Sequence, residues 1–178
     1  MNRSRPRRAR GQREVTVREK SIELLNLAIA DELSAIHQYM YFHFRLDDLG
    51  YAPLAGLLKK TAIEEMLHAE RIAERILFLG GEVEMNVGRP VEKIHDAQAM
   101  LEKAKSLEQE AVAMYNGFAL QCAQNADSGT KKLFEELVAD EEMHLDGFDR
   151  QSDFVQRFGE RYLALQSFQG GDAEGEAG

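Results

Sequence analysis

Six residues of this chain combine the right chemistry with a repeated spacing: Glu32, Glu65, His68, Glu108, Glu141 and His144. Two of the acids are followed by histidine three residues later, Glu65 by His68 and Glu141 by His144. On a helix that spacing puts carboxylate and imidazole on one face. The other two acids each precede such a pair: 33 residues separate Glu32 from Glu65, and 33 separate Glu108 from Glu141. Tyr39 lies seven residues after Glu32, and Tyr115 seven after Glu108. The chain therefore reads as two matching halves, each offering Glu and then Glu-x-x-His.

Each acid also interrupts an apolar stripe of helical period. The first stripe runs Leu25, Ala28, Ile29, Glu32, Ala35, Ile36, Tyr39, and the second Leu58, Ala62, Glu65, His68, Ala69, Ile72, Ile76. The third runs Leu101, Ala104, Glu108, Ala111, Val112, Tyr115, and the fourth Phe134, Leu137, Val138, Glu141, His144, Leu145, Phe148. A lone acid on such a stripe ordinarily sits near its edge and reaches for water. One Glu-x-x-His is common by chance on a charged helix. Four acids and two histidines converging at one level of two matching hairpins are a different case. Four buried carboxylates repel one another and must take up protons unless cations balance them. Two divalent cations supply that balance. Carboxylate and imidazole donors without thiolate suit iron or manganese better than a structural zinc site. Carboxylates can also shift between terminal and bridging modes as metal charge rises, which favours redox chemistry with dioxygen or peroxide.

Four helices must carry these stripes. Thr16-Val17-Arg18-Glu19 fits a capping box opening the first, which runs to about Gly50. Pro53 suits the first turn of the second, which stops at Gly80-Gly81. Asp96 is the expected N-cap of the third, ending near Asn125; Asp127 or Ser128 caps the fourth, ending near Phe158-Gly159. "ERYLALQSF" is a short fifth helix. Only the second connection, about residues 81–95, is long. A 28-residue helix spans ~42 Å and 15 extended residues reach ~50 Å, so that loop can cross the bundle and set the third helix parallel to the second. The expected fold is all-α, a four-helix bundle with one long crossover and a short fifth C-terminal helix.

Length and composition set the surroundings. A chain of 178 residues, 44% hydrophobic, is one domain with a real core. Its single cysteine, Cys122, excludes an intrachain disulfide and any Cys-based metal cluster. No apolar run reaches the ~18 residues of a membrane span. The Arg-rich start has no apolar run after it, so no secretory signal is read, and a cytoplasmic protein is expected. Residues 1–13 hold six of the 22 basic residues and no acid, leaving 16 basic against 31 acidic residues, a net charge of −15, in the rest. An acidic body suits cations and disfavours nucleic acid, except through that arm. Three segments follow: an Arg-rich disordered arm (1–15), a metal-binding helical domain (16–169) and a flexible acidic tail (170–178).

With these residues in place, the chain resembles the ferritin-like di-iron proteins, and more narrowly the bacterioferritins. "ADELSAIHQYMYFHFRLDD", "IEEMLHAERIAERILFLGG" and "LVADEEMHLDG" match that pattern, and the resemblance covers about residues 16–168. The ligand pattern itself is a known feature of ferritin-like proteins. The resemblance implies that Glu32 and Glu108 are terminal ligands, that Glu65 and Glu141 bridge, and that His68 and His144 complete a site for two iron ions per subunit. Tyr39 matches a tyrosine beside the centre. The implied activity is a ferroxidase that oxidises Fe(II) with dioxygen or hydrogen peroxide. The ferric mineral is stored in a hollow shell of 24 subunits built from twofold dimers, with an electron-donor protein as partner for iron release. Met66 falls where the family places the axial ligand of a haem shared between two subunits. One residue past Glu65, it points ~100° away from the bundle axis. The bland reading of Met66 is a packing methionine at an interface. Met143, two residues past Glu141, is not expected to hold haem.

The competing reading is a smaller di-iron oxidase or peroxidase of the rubrerythrin type, which stores no iron. It lacks support from any CxxC pair, and the third helix offers one well-placed acid. A helical interaction protein would leave six buried ionisable residues unexplained. Within "AIEEMLHAE", the repeated acid-Glu-x-x-His pattern, Glu64 to His68 and Asp140 to His144, pairs Glu65 with His68. It leaves Glu64 as an outer or surface acid.

Overall fold

The computed structural model of the chain describes residues 16–169; the arm and tail expected from composition lie outside them. Five helices follow in order: α1 (Val17–Asp48), α2 (Ala52–Phe78), α3 (Ala97–Gln124), α4 (Ser128–Phe158) and α5 (Glu160–Gln169). No strand occurs among the described residues.

Local chemistry sets the helix ends. Thr16 Oγ1 accepts from the Glu19 amide at 3.2 Å, and Glu19 accepts from the Thr16 amide at 2.7 Å, which closes the capping box. At the other end of α1, Gly50 takes φ +79°, and the Tyr51 amide bonds back to the Leu46 carbonyl at 2.8 Å. Gly80 repeats the arrangement after α2 with φ +80° and a Gly81-to-Ile76 bond of 3.0 Å. Asp96 caps α3 by accepting from Ala99, and Asp127 caps α4 by accepting from Thr130. Of the two candidates for that second cap, Asp127 fills the position and Ser128 is the first helical residue.

α1 and α2 pack as one hairpin and α3 and α4 as another. The crossover, residues 79–96, is tied down along α1 at successive turns. Asn26 bonds the backbone at Glu82 and Glu84, Ala30 and Ser34 hold Gly88, and Gln38 bonds the backbone of Glu92 in both directions. The loop thus travels in the same direction as α1 and delivers α3 beside the C-terminal end of α1. That sets α3 parallel to α2, as the reach of the loop predicts.

The buried apolar side chains form two clusters. One holds Tyr39, Phe42, Leu58, Leu101 and Phe148, and the other Leu25, Ile29, Ile72, Tyr115 and Phe134. Between them, on all four long helices, lies a layer of buried acids and histidines. The six candidate ligands are this layer.

Candidate metal centre

Each ligand arrives from the middle of a helix, where backbone hydrogen bonding and apolar packing on both sides leave its position little freedom. Glu32, Glu65, Glu108, Glu141 and His68 are buried, and His144 is nearly so at its side chain. His68 Nδ1 lies 2.8 Å from Glu65 Oε2, 3.1 Å from Glu141 Oε1 and 3.8 Å from Glu32 Oε1. His144 Nδ1 lies 3.1 Å from Glu65 Oε1, 3.1 Å from Glu141 Oε2 and 4.0 Å from Glu108 Oε2. The six residues therefore form two four-donor groups, Glu32-Glu65-His68-Glu141 and Glu65-Glu108-Glu141-His144, with donor atoms within 4.8 Å of one another in each. Glu65 and Glu141 belong to both, each turning one oxygen toward each imidazole.

This donor set suits cations. Both oxygens of Glu65, Oε1 of Glu141 and Nδ1 of His68 are buried and make no well-directed hydrogen bond. His68 Nδ1 and Glu65 Oε2 are close enough to bond but are not aimed at each other. Lone pairs turned toward common space rather than toward each other are what a cation site requires.

Charge in the layer tells the same story. Burial raises the Glu32 and Glu108 carboxyls well above the usual range, and the charges of Glu65 and Glu141 raise them further. Burial opposes charge on the imidazoles, yet Glu141 and Glu65 outweigh it and lift His68 to about 9 and His144 to about 11. Burial would also raise Glu141, but the hydrogen bond from His144 and the nearby His68 and His144 imidazoles bring it down to about 2. Without cations, then, the layer holds itself together with protons.

The structure supplies partners that spacing left open. Tyr39 donates to Glu108 Oε1 at 2.5 Å, and Tyr115 donates to Glu32 Oε1 at 2.6 Å. Each tyrosine serves the acid of the opposite hairpin, not the one seven residues before it. Burial, and then the neighbouring carboxylates, raise both phenols and keep them as donors. The repeated seven-residue interval was the sequence signal for Tyr115. The outer acids cross over in the same way: Glu64 Oε2 is 3.2 Å from His144 Nε2, and Asp140 Oδ2 is 3.4 Å from His68 Nε2. Glu64 is therefore an outer acid, and its partner is the other half's histidine. The Glu64 acceptor at His144 Nε2 fixes that ring so that its Nδ1 can face a metal, and Asp140 is the charge beside the other ring.

Met66 stands apart from this layer. It is 54% exposed, beside the exposed Ile63 and Leu67 on the outer side of α2. Met143 lines the pocket of about 270 Å³ that opens onto His68 and His144. His43 bonds the Ala55 carbonyl at 2.9 Å, a structural contact away from the metal layer.

Comparison with known proteins follows this geometry. Residues 22–158 match the family described as the ferritin-like domain. The bacterioferritin of Desulfovibrio desulfuricans is 39% identical over 151 residues, 82% of this chain and 81% of the relative. Its X-ray structure, described with a di-iron site in different catalytic states, superposes with a TM-score of 0.84 over 88% of this chain and 91% of that one. The bacterioferritin of Rhodobacter capsulatus is 38% identical over 147 residues, 82% of this chain and 91% of the relative. Its structure, described with a metal-free dinuclear site and a haem iron, gives a TM-score of 0.79 over 83% of this chain and 92% of that one.

Proposed function

The chain belongs to the ferritin-like family and, within it, to the bacterioferritins, and from that premise we propose that it oxidises Fe(II) at the four-helix centre and stores the ferric product. The observation that carries this reading is the pair of four-donor groups sharing Glu65 and Glu141. Two iron ions, bound as substrate, supply the redox couple: each Fe(II) gives one electron to dioxygen or hydrogen peroxide. Glu32 and His68 complete one metal position, Glu108 and His144 the other, and Glu65 and Glu141 span both. Tyr115 and Tyr39 aim the terminal carboxylates Glu32 and Glu108. The outer acids aim the imidazoles, and the pocket flanked by Glu64 and Asp140 admits cations to them. Changing Glu65 and Glu141 together to Ala should abolish rapid Fe(II) oxidation while helicity persists. Unchanged kinetics would remove this site from the reaction.

The same reading extends to Met66 and to assembly. The exposed Ile63, Met66 and Leu67 make an apolar strip on α2 suited to a twofold partner, and Met66 is the proposed axial ligand of a haem shared across it. A shell of 24 chains of 20.1 kDa weighs about 480 kDa. The native particle should show that mass and a Soret band, and Met66→Ala should remove the band while sparing Fe(II) oxidation. A dimer-sized particle with no mineral would favour the rubrerythrin-type reading instead.

A further inference from the structure

The two halves of the centre match in their ligands but not in what holds their outer acids. Asp140, the carboxylate beside His68 Nε2, is gripped from α2: Arg71 Nη1 donates to Asp140 Oδ2 at 2.9 Å, and Nη2 donates to Glu136 Oε2 at 3.0 Å. Glu136 and Asp140 lie one turn apart on α4, so one planar guanidinium spans both and is itself fixed at two points. Arg71 and Asp140 are each only about one-third exposed at their side chains, at 35% and 32%. Glu64, the acceptor for His144, is held by Lys60 at 3.2 Å, one turn earlier on its own helix. Lys60 is 73% exposed, a point charge on a flexible stem in water.

The Glu64 contact with its imidazole is a hydrogen bond of 3.2 Å, while Asp140 Oδ2 stands 3.4 Å from His68 Nε2 as an ion-pair contact. Separation alone does not decide how well a ring is held; the freedom of its acceptor does. An acceptor that must be immobilised when metal binds adds an ordering cost to that binding, and one already immobilised does not. The clamp also joins the two hairpins, since Arg71 is on α2 and both its acids are on α4, whereas the Lys60–Glu64 pair stays within α2.

We propose that Arg71 is a positioning residue: through Asp140 it fixes the His68 imidazole and makes the Glu32-Glu65-His68-Glu141 position the tighter of the two. The inference rests on the di-metal reading above and adds an order of filling to it. The first divalent cation takes the His68 side, and the second completes the His144 side.

Anaerobic Co(II) alone is the probe, titrated into the metal-free native protein and followed by visible absorption and by heat. The wild type should fill in two steps of one equivalent per chain, and Glu32→Gln should remove the tighter. Arg71→Gln should weaken that step about 10- to 100-fold, the range seen when a residue supporting a metal-bound histidine is lost, and leave the second in place. Arg71→Lys should restore part of the loss, because an ammonium reaches one of the two acids. Lys60→Gln should leave the tighter step unchanged. Asp140→Asn should repeat the Arg71→Gln result, so the inference does not hang on one variant folding. Arg71→Gln moving both steps equally, or neither, overturns the role of Arg71 and leaves the di-metal reading standing. A wild type that takes up no Co(II) overturns both.

Discussion

Glu32 and Glu108 are held by tyrosines of the opposite hairpin in an environment that raises both carboxyls, while His68 and His144 are lifted to about 9 and about 11. On the proposed di-metal reading, protons and divalent cations compete for the same lone pairs. With Glu141 and Glu65 lifting both imidazoles above neutrality, loading Zn(II) should release protons, about one from each ring at pH 7. The carboxyls add to the release as pH falls. The sign follows: apparent metal affinity rises with pH. A lightly buffered titration with a pH indicator measures it, and uptake without proton release would contradict the protonation of the empty layer.

The helices owe their positions to end contacts as much as to stripes. Asp127 caps α4, accepts from Ser21 on α1 and pairs with Arg75 on α2, so one carboxylate joins three helices at one end of the bundle. Burial would raise it, but Thr130, Ser21 and Arg75 together bring it down to about 2. A depressed carboxyl contributes stability that is complete above its ordinary value near 4 and lost as pH falls through about 2. Asp127→Ala should cost about 1–2 kcal/mol at pH 7, the usual worth of such a cap, read as a lower midpoint in urea. The gap between the wild type and Asp127→Asn should close between pH 4 and pH 2. The crossover is held by side chains too. Ser34 Oγ accepts from both the Gly88 and Arg89 amides at 3.0 Å, and that contact helps to hold the loop against α1 on its way to α3.

The whole bundle carries an ionisable layer between two apolar clusters, which a structure selected for stability alone would not keep. Buried charges that are not fully satisfied weaken a core relative to apolar residues of the same volume. Cations that bind the folded form stabilise it by mass action, about 2.7 kcal/mol per site at 100 times Kd. The thermal midpoint should therefore rise on loading Zn(II) or Co(II), by roughly 2–4 °C per kcal/mol for a domain of this size. Replacing Glu65 and Glu141 with Ala should abolish that rise. None of the helices among the described residues is long and apolar enough to cross a membrane.

The sequence by itself determined the four stripes, their interruption by Glu32, Glu65, Glu108 and Glu141, the pairing of each Glu-x-x-His, and the length of loop needed for the crossover. These are matters of period and reach, and a helix has one period and one rise per residue. Helix ends were legible for the same local reason: Thr16, Asp96 and Asp127 bond within three residues of themselves. What only the tertiary structure decided is which half serves which. Tyr39 reaches Glu108 rather than Glu32, Glu64 reaches His144, Asp140 reaches His68, and Arg71 clamps one half while exposed Lys60 holds the other. Periodicity along one helix says which face a side chain is on. It says nothing of which residue of another helix stands opposite, because that register depends on how two hairpins dock. The symmetry of the ligands was written in the chain; the asymmetry of their supports appeared only once the hairpins were packed.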